Sequence, residues 1–143
     1  MAFKTGQIYP QVGTRLPVSH KVILLIRKRL DEDLWEKNNL NSKLDGYDIY
    51  YSITTRRNQT DLKVIGPKTD KRNKFIVWTI YFPYHPIVDN EVPIKIFIRC
   101  FFEAIITSLC TFGCSEEDVM RIEAGVLKEV VENKDFAFSE TTY

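Results

Sequence analysis

The sequence predicts one α+β domain over residues 1–143, built as an N-terminal helix, a three-stranded antiparallel meander and two C-terminal helices. Three observations carry this. A chain of 143 residues suits a single hydrophobic core. The apolar period changes from helical to alternating at Tyr47 and returns to helical after Pro93. The segments between the three middle strands are short, which favours antiparallel neighbours over crossovers.

The first sixteen residues read as irregular or as a short strand, because Gly6, Pro10 and Gly13 interrupt any period. Ser19 stands where a helix N-cap belongs. Ile23, Ile26, Leu30 and Leu34 follow at spacings of three and four, with Arg27, Lys28, Asp31 and Glu32 between them. This predicts a helix over residues 19–38, ended by Asn38-Asn39. Tyr47, Ile49, Tyr51 and Ile53 then alternate with Asp48, Tyr50, Ser52 and Thr54, as in a strand with one apolar face. Asn58 to Asp61 is a turn, and Leu62 to Ile65 a short second strand stopped by Gly66-Pro67.

Phe75 to Phe82 is the third strand and is apolar on both sides: Phe75, Val77 and Tyr81 on one, Ile76, Trp78, Ile80 and Phe82 on the other. Either helices cover both faces of the sheet, or Ile76, Trp78, Ile80 and Phe82 form an interface with a partner or with a second copy in a homodimer. Pro93 suits the first turn of a helix over Ile94–Phe112, and Gly113 its end. Lys95, Arg99 and Glu103, preceded by Glu91, recur every four residues and form one charged stripe. Each such charge costs about 2.5–3.5 kcal/mol in a bilayer, which excludes a membrane span. Ser115 with Asp118 resembles a capping box, aspartate replacing the usual Glu or Gln. Val119, Ile122, Val126 and Val130 continue a helix to Asn133, and Asp135 to Phe138 is a short strand or an extended tail.

The chemistry of the chain is sparse. Cys100, Cys110 and Cys114 are odd in number and lie in an apolar stretch, as buried thiols of a cytoplasmic protein do. The N-terminal residues contain no uninterrupted apolar run, so no secretory signal is expected. His85, in Pro83-Tyr84-His85-Pro86, could serve a cysteine-dependent enzyme, but no third group is in place to orient it. Cys100 and Cys110 are ten residues apart on one helix, roughly 15 Å, too far to share an ion. No glycine-rich phosphate loop and no Gly-x-Ser-x-Gly elbow occur. We therefore expect no metal, no cofactor and no catalysis.

A net charge of +1 conceals a segregation. Arg56 to Lys74 holds seven basic and two acidic residues, whereas Glu116 to Tyr143 holds eight acidic and three basic. Arg56, Arg57, Lys71, Arg72 and Trp78 are the candidates for nucleic-acid contact in the basic region, residues 56–74. In a meander, however, its two turns lie at opposite ends of the sheet, roughly 17 Å apart, which makes nucleic acid the weaker choice of partner. Glu116, Glu117, Asp118 and Glu123, with Glu129 and Glu132 further along, are the candidate partner-binding carboxylates. Such a face complements the basic groove of a nuclease, and equally serves as solubilising surface.

Leu62-Lys63-Val64-Ile65-Gly66-Pro67-Lys68, a basic turn, Ile76-Val77-Trp78-Thr79-Ile80-Tyr81-Phe82-Pro83-Tyr84 and the apolar helix that follows resemble, in organisation, the small bacterial immunity proteins encoded beside polymorphic toxins, including contact-dependent growth-inhibition systems. The resemblance covers roughly the C-terminal two-thirds of the chain. It implies a cytoplasmic protein that binds one cognate toxin domain, occludes its active site and has no catalysis of its own. It assigns no individual binding residue.

Overall fold

The computed structural model describes residues 7–56, 58–83, 91–136 and 141–143. Strands β1 (Gln7–Pro10) and β2 (Arg15–Leu16) precede helix α1 (His20–Leu30), a π-helical turn (Asp31–Trp35) and the short α2 (Leu40–Lys43). Strands β3 (Asp48–Thr55), β4 (Lys63–Asp70) and β5 (Phe75–Phe82) follow, then α3 (Glu91–Leu109), a 3-10 turn (Cys110–Phe112), α4 (Glu116–Glu132) and β6 (Thr141–Thr142).

The α+β composition holds; the antiparallel meander does not. The main sheet has the order β1-β3-β5-β4. β1 is parallel to β3, and β3 parallel to β5; only β4 and β5 run antiparallel. β5 is inserted between two strands that are consecutive in sequence. The reason lies in the side chains. A strand apolar on both faces belongs in the centre of a sheet. β4, with Lys63, Pro67 and Lys68, suits an edge, where a missing proline N–H is harmless and lysines discourage further pairing. A second ladder pairs β2 with β6. Of the expected C-terminal strand or tail, Asp135 and Phe136 lie in a turn after α4, and residues 137 and 138 lie outside the described residues.

The single helix expected over 19–38 is also corrected. α1 ends at Leu30, widens into the π turn, and terminates where Asn39 adopts φ 53°. Ser19 does occupy the N-cap of α1, through its backbone: its carbonyl accepts from Val22 N at 3.1 Å, while its hydroxyl is buried and makes no hydrogen bond among the described residues.

The core lies between the sheet and the helices. Register pairs Ile49 with Ile76, Tyr51 with Trp78 and Ile53 with Ile80, so all six side chains share one face. They join Phe82, Val22 and Ile26 of α1, Phe97, Phe101 and Phe102 of α3, and Val119, Val126 and Val130 of α4 in one buried cluster. The rings of Phe82 and Phe97 stack at 4.6 Å. Ile76, Trp78, Ile80 and Phe82 are thus core, covered by helices, and of the two alternatives for them the interface is ruled out. On α3 the predicted stripe is realised: Lys95, Arg99 and Glu103 are exposed and the residues between them largely buried. No helix among the described residues is long and apolar enough to cross a membrane.

Candidate interaction surfaces

The six candidate carboxylates of α4 divide into two groups. Glu123 is only 6% exposed and forms an ion pair with Arg99 of α3. Glu129 accepts from Arg29 of α1 at 2.9 Å. Asp118 accepts from Asn38 Nδ2 at 3.1 Å and from Arg121 at 2.9 Å. These three hold the helix layer together. Glu116, Glu117 and Glu132 are exposed.

The start of α4 shows why aspartate suffices in its capping motif. Ser115 Oγ accepts from Asp118 N at 3.3 Å, the expected half of the box. The other half is supplied from elsewhere: Asn38 Oδ1, rather than a residue of α4, accepts the Ser115 N–H at 2.9 Å. Asn38 is buried, and its Nδ2 also donates to Leu34 O at 3.0 Å. The π turn is thereby tied to α4, which brings one residue from each of two acidic triplets, Asp31-Glu32-Asp33 and Glu116-Glu117-Asp118, to a common groove. Asp33 and Asp118 line one groove of about 360 Å³ with Arg29, Lys37 and Arg121. Both triplets are visible in the sequence; the tie between the π turn and α4 runs through one buried amide that no periodicity marks.

The second surface is the sheet face turned away from the helices. Tyr50, Ser52 and Thr54 of β3 and Phe75, Val77, Thr79 and Tyr81 of β5 point to it by alternation, as Tyr9 of β1 does by its pairing with Ser52. Tyr9, Tyr50 and Phe75 form an edge-to-face row across three strands, with centroids 6.2 Å and 5.1 Å apart. At the opposite end Arg56 lies over the Tyr81 ring, 4.3 Å from its centroid, and donates to its hydroxyl at 3.1 Å.

β4 contributes to this face through a bulge. Ile65 stands opposite Thr79 and Lys68 opposite Val77, so three steps along β4 match two along β5. Without the extra residue Lys68 would fall on the helix side; with it, Lys63, Ile65 and Lys68 share the open face. The bulge requires Gly66. Its φ is 135°, and an added Cβ would meet the Val77 carbonyl oxygen at 2.9 Å. Of the residues expected to contact nucleic acid, Trp78 is buried on the helix side, Arg57 lies outside the described residues, and Lys71 and Arg72 are exposed in the β4–β5 turn.

Cys110 and Cys114 lie beside the start of α4, within the electrostatic reach of Glu116 and Asp118, and Cys100 lies on α3. Burial pushes the Cys114 thiol up to about 12, with neighbouring Cys110 adding to the effect, and burial also raises Cys100 and Cys110. Such thiols stay protonated at neutral pH and are poor nucleophiles. His85 lies outside the described residues, and among those described no group of three His, Cys, Asp or Glu could hold a metal ion. Comparison with known protein families, with curated proteins and with solved structures finds no match.

Proposed function

We propose that this protein is a cytoplasmic immunity protein that binds a cognate bacterial toxin domain and neutralises it by occluding the active site, with no catalysis of its own. The observation that supports this reading is the set of exposed carboxylates on α4, Glu116, Glu117 and Glu132. Exposed carboxylates along one helix offer a surface complementary to the basic substrate groove of a nuclease, and such complementarity speeds encounter and fixes register. Within the candidate set, Glu116, Glu117 and Glu132 have side chains free to reach a partner. Asp118, Glu123 and Glu129 position the helices that carry them.

The test is to mix the protein with the product of the neighbouring toxin gene. A stable complex that weakens with salt is expected. Glu116→Lys with Glu117→Lys should slow association about tenfold at low ionic strength, with a smaller change in dissociation. Absence of a complex, with cells left sensitive to the toxin, overturns the reading.

A further inference from the structure

We infer that the open face of the sheet is a docking surface for single-stranded nucleic acid, independent of the acidic surface on the helix layer. Two features coincide there. The first is the aromatic row. Tyr9 is 41% exposed, and Tyr50 and Phe75 beside it are half-buried, so rings on three adjacent strands meet solvent. Base stacking on such rings tolerates any sequence, because every base has a π-face.

The second feature is a basic track. Arg56 marks one end of the sheet and Lys71, Arg72 and Lys74 the other, the separation that weakens a nucleic-acid reading from sequence. β4 closes that gap. Lys63 and Lys68 are exposed on the aromatic face, along an eight-residue strand roughly 26 Å long, and the bulge at Gly66 is what turns Lys68 to that side. The cations therefore run the length of the sheet edge beside the rings. Among the described strand residues two carboxylates share the face by register, Asp48 and Asp70, both at the Phe75 end, and exposed Asp61 precedes β4 at the other. Asp70 is occupied by the turn itself, accepting from Arg72 N and Asn73 N at 3.0 Å each. The acidic surface of α4 does not interfere, because α4 packs on α1 and α3, across the sheet from this face.

Rings flanked along one edge by exposed lysines fit a polyanion bearing flat bases. They fit a protein partner less well, since lysine is depleted from the cores of protein interfaces. A duplex is a poorer match than a single strand, because its base faces are already stacked.

The experiment is fluorescence anisotropy of the whole chain with labelled oligo(U) and oligo(dT) of about twelve nucleotides, and with a duplex of equal length, between about 50 and 200 mM salt. Both single strands should bind more tightly than the duplex, with affinity falling steeply as salt rises. Lys63→Glu with Lys68→Glu, two exposed edge positions, should weaken binding at least about tenfold and reduce the salt slope by about 1.4, two phosphate contacts' worth. Tyr50→Leu with Phe75→Leu should weaken it by about 5- to 100-fold and leave the slope unchanged, a pattern that mere loosening of the fold would not produce. Glu116→Lys with Glu117→Lys should leave this affinity intact, so failure here is distinguishable from failure of the toxin-binding reading. No binding at low salt, equal affinity for duplex, or indifference to the lysine reversals overturns the inference. So does loss of a toxin complex, rather than of nucleic-acid binding, in the lysine variant.

Discussion

On one side of β5, Ile76, Trp78, Ile80 and Phe82 are at most 7% exposed and packed under the helices, whereas on the other Phe75, Val77, Thr79 and Tyr81 stay half-buried beside two lysines of β4. Both sides are rich in aromatic and branched residues, and hydrophobicity alone does not rank them. What differs is the company each keeps. β3 offers Ile49, Tyr51 and Ile53 in register with the first set and Asp48, Tyr50 and Ser52 with the second. A sheet buries the face on which every strand is apolar, and polar neighbours keep the other face in water even where its central strand would tolerate burial.

The largest effect should come from truncating the covered side. Trp78→Ala is expected to cost about 3–5 kcal/mol in chemical denaturation, and Tyr81→Ala only about 1 kcal/mol. Similar losses at the two positions would break the contrast. The buried side also contains a hydroxyl with a pH signature. Tyr51 shares a 2.7 Å hydrogen bond with Ser108, and burial raises its ionisation well above the ordinary tyrosine range; burial also moves Tyr143 up to about 12. The unfolded chain loses these protons near pH 10 and the folded chain later, so above pH 10 the unfolded state binds fewer protons and stability falls as pH rises. Each tyrosine contributes up to about 1.4 kcal/mol per pH unit, and full stability is present below that window. Tyr51→Phe should flatten the alkaline decline measured by denaturation at stepped pH.

A second division, between carboxylates that hold the helices and those that face solvent, runs through α4. Asn38→Ala removes the amide that bonds both Asp118 and the Ser115 N–H and should cost about 1–3 kcal/mol, whereas Glu117→Ala should stay within about 0.5 kcal/mol. An Asn38→Ala variant as stable as the parent would mean that the π turn and α4 are joined by something else. The smallest effect is expected at Ser19, whose buried hydroxyl makes no hydrogen bond among the described residues: Ser19→Ala should change the unfolding free energy by less than about 0.5 kcal/mol, or raise it slightly.

Local pattern was enough to locate the strands of Tyr47–Thr54 and Phe75–Phe82, the two long C-terminal helices, the charged stripe of α3 and the cap at Ser115. Each follows from a period that the backbone imposes on any chain, two residues in a strand and 3.6 in a helix. Pattern also marked the exposed carboxylates Glu116, Glu117 and Glu132, but equally Glu123, because spacing along one helix does not reveal that Arg99 of another lies opposite. The order of strands was decided only in three dimensions. The backbone ladder pairs equally well with any neighbour, so alternation in β3, β4 and β5 is the same whether β5 ends a meander or divides it. The same is true of Lys68, whose side of the sheet depends on a one-residue bulge, and of the union of π turn and α4 through Asn38. The sequence by itself determined which segments are regular and which residues seek burial, since those are local properties. The tertiary structure decided which face was covered and which charges met, since both depend on groups far apart in the chain competing for the same space.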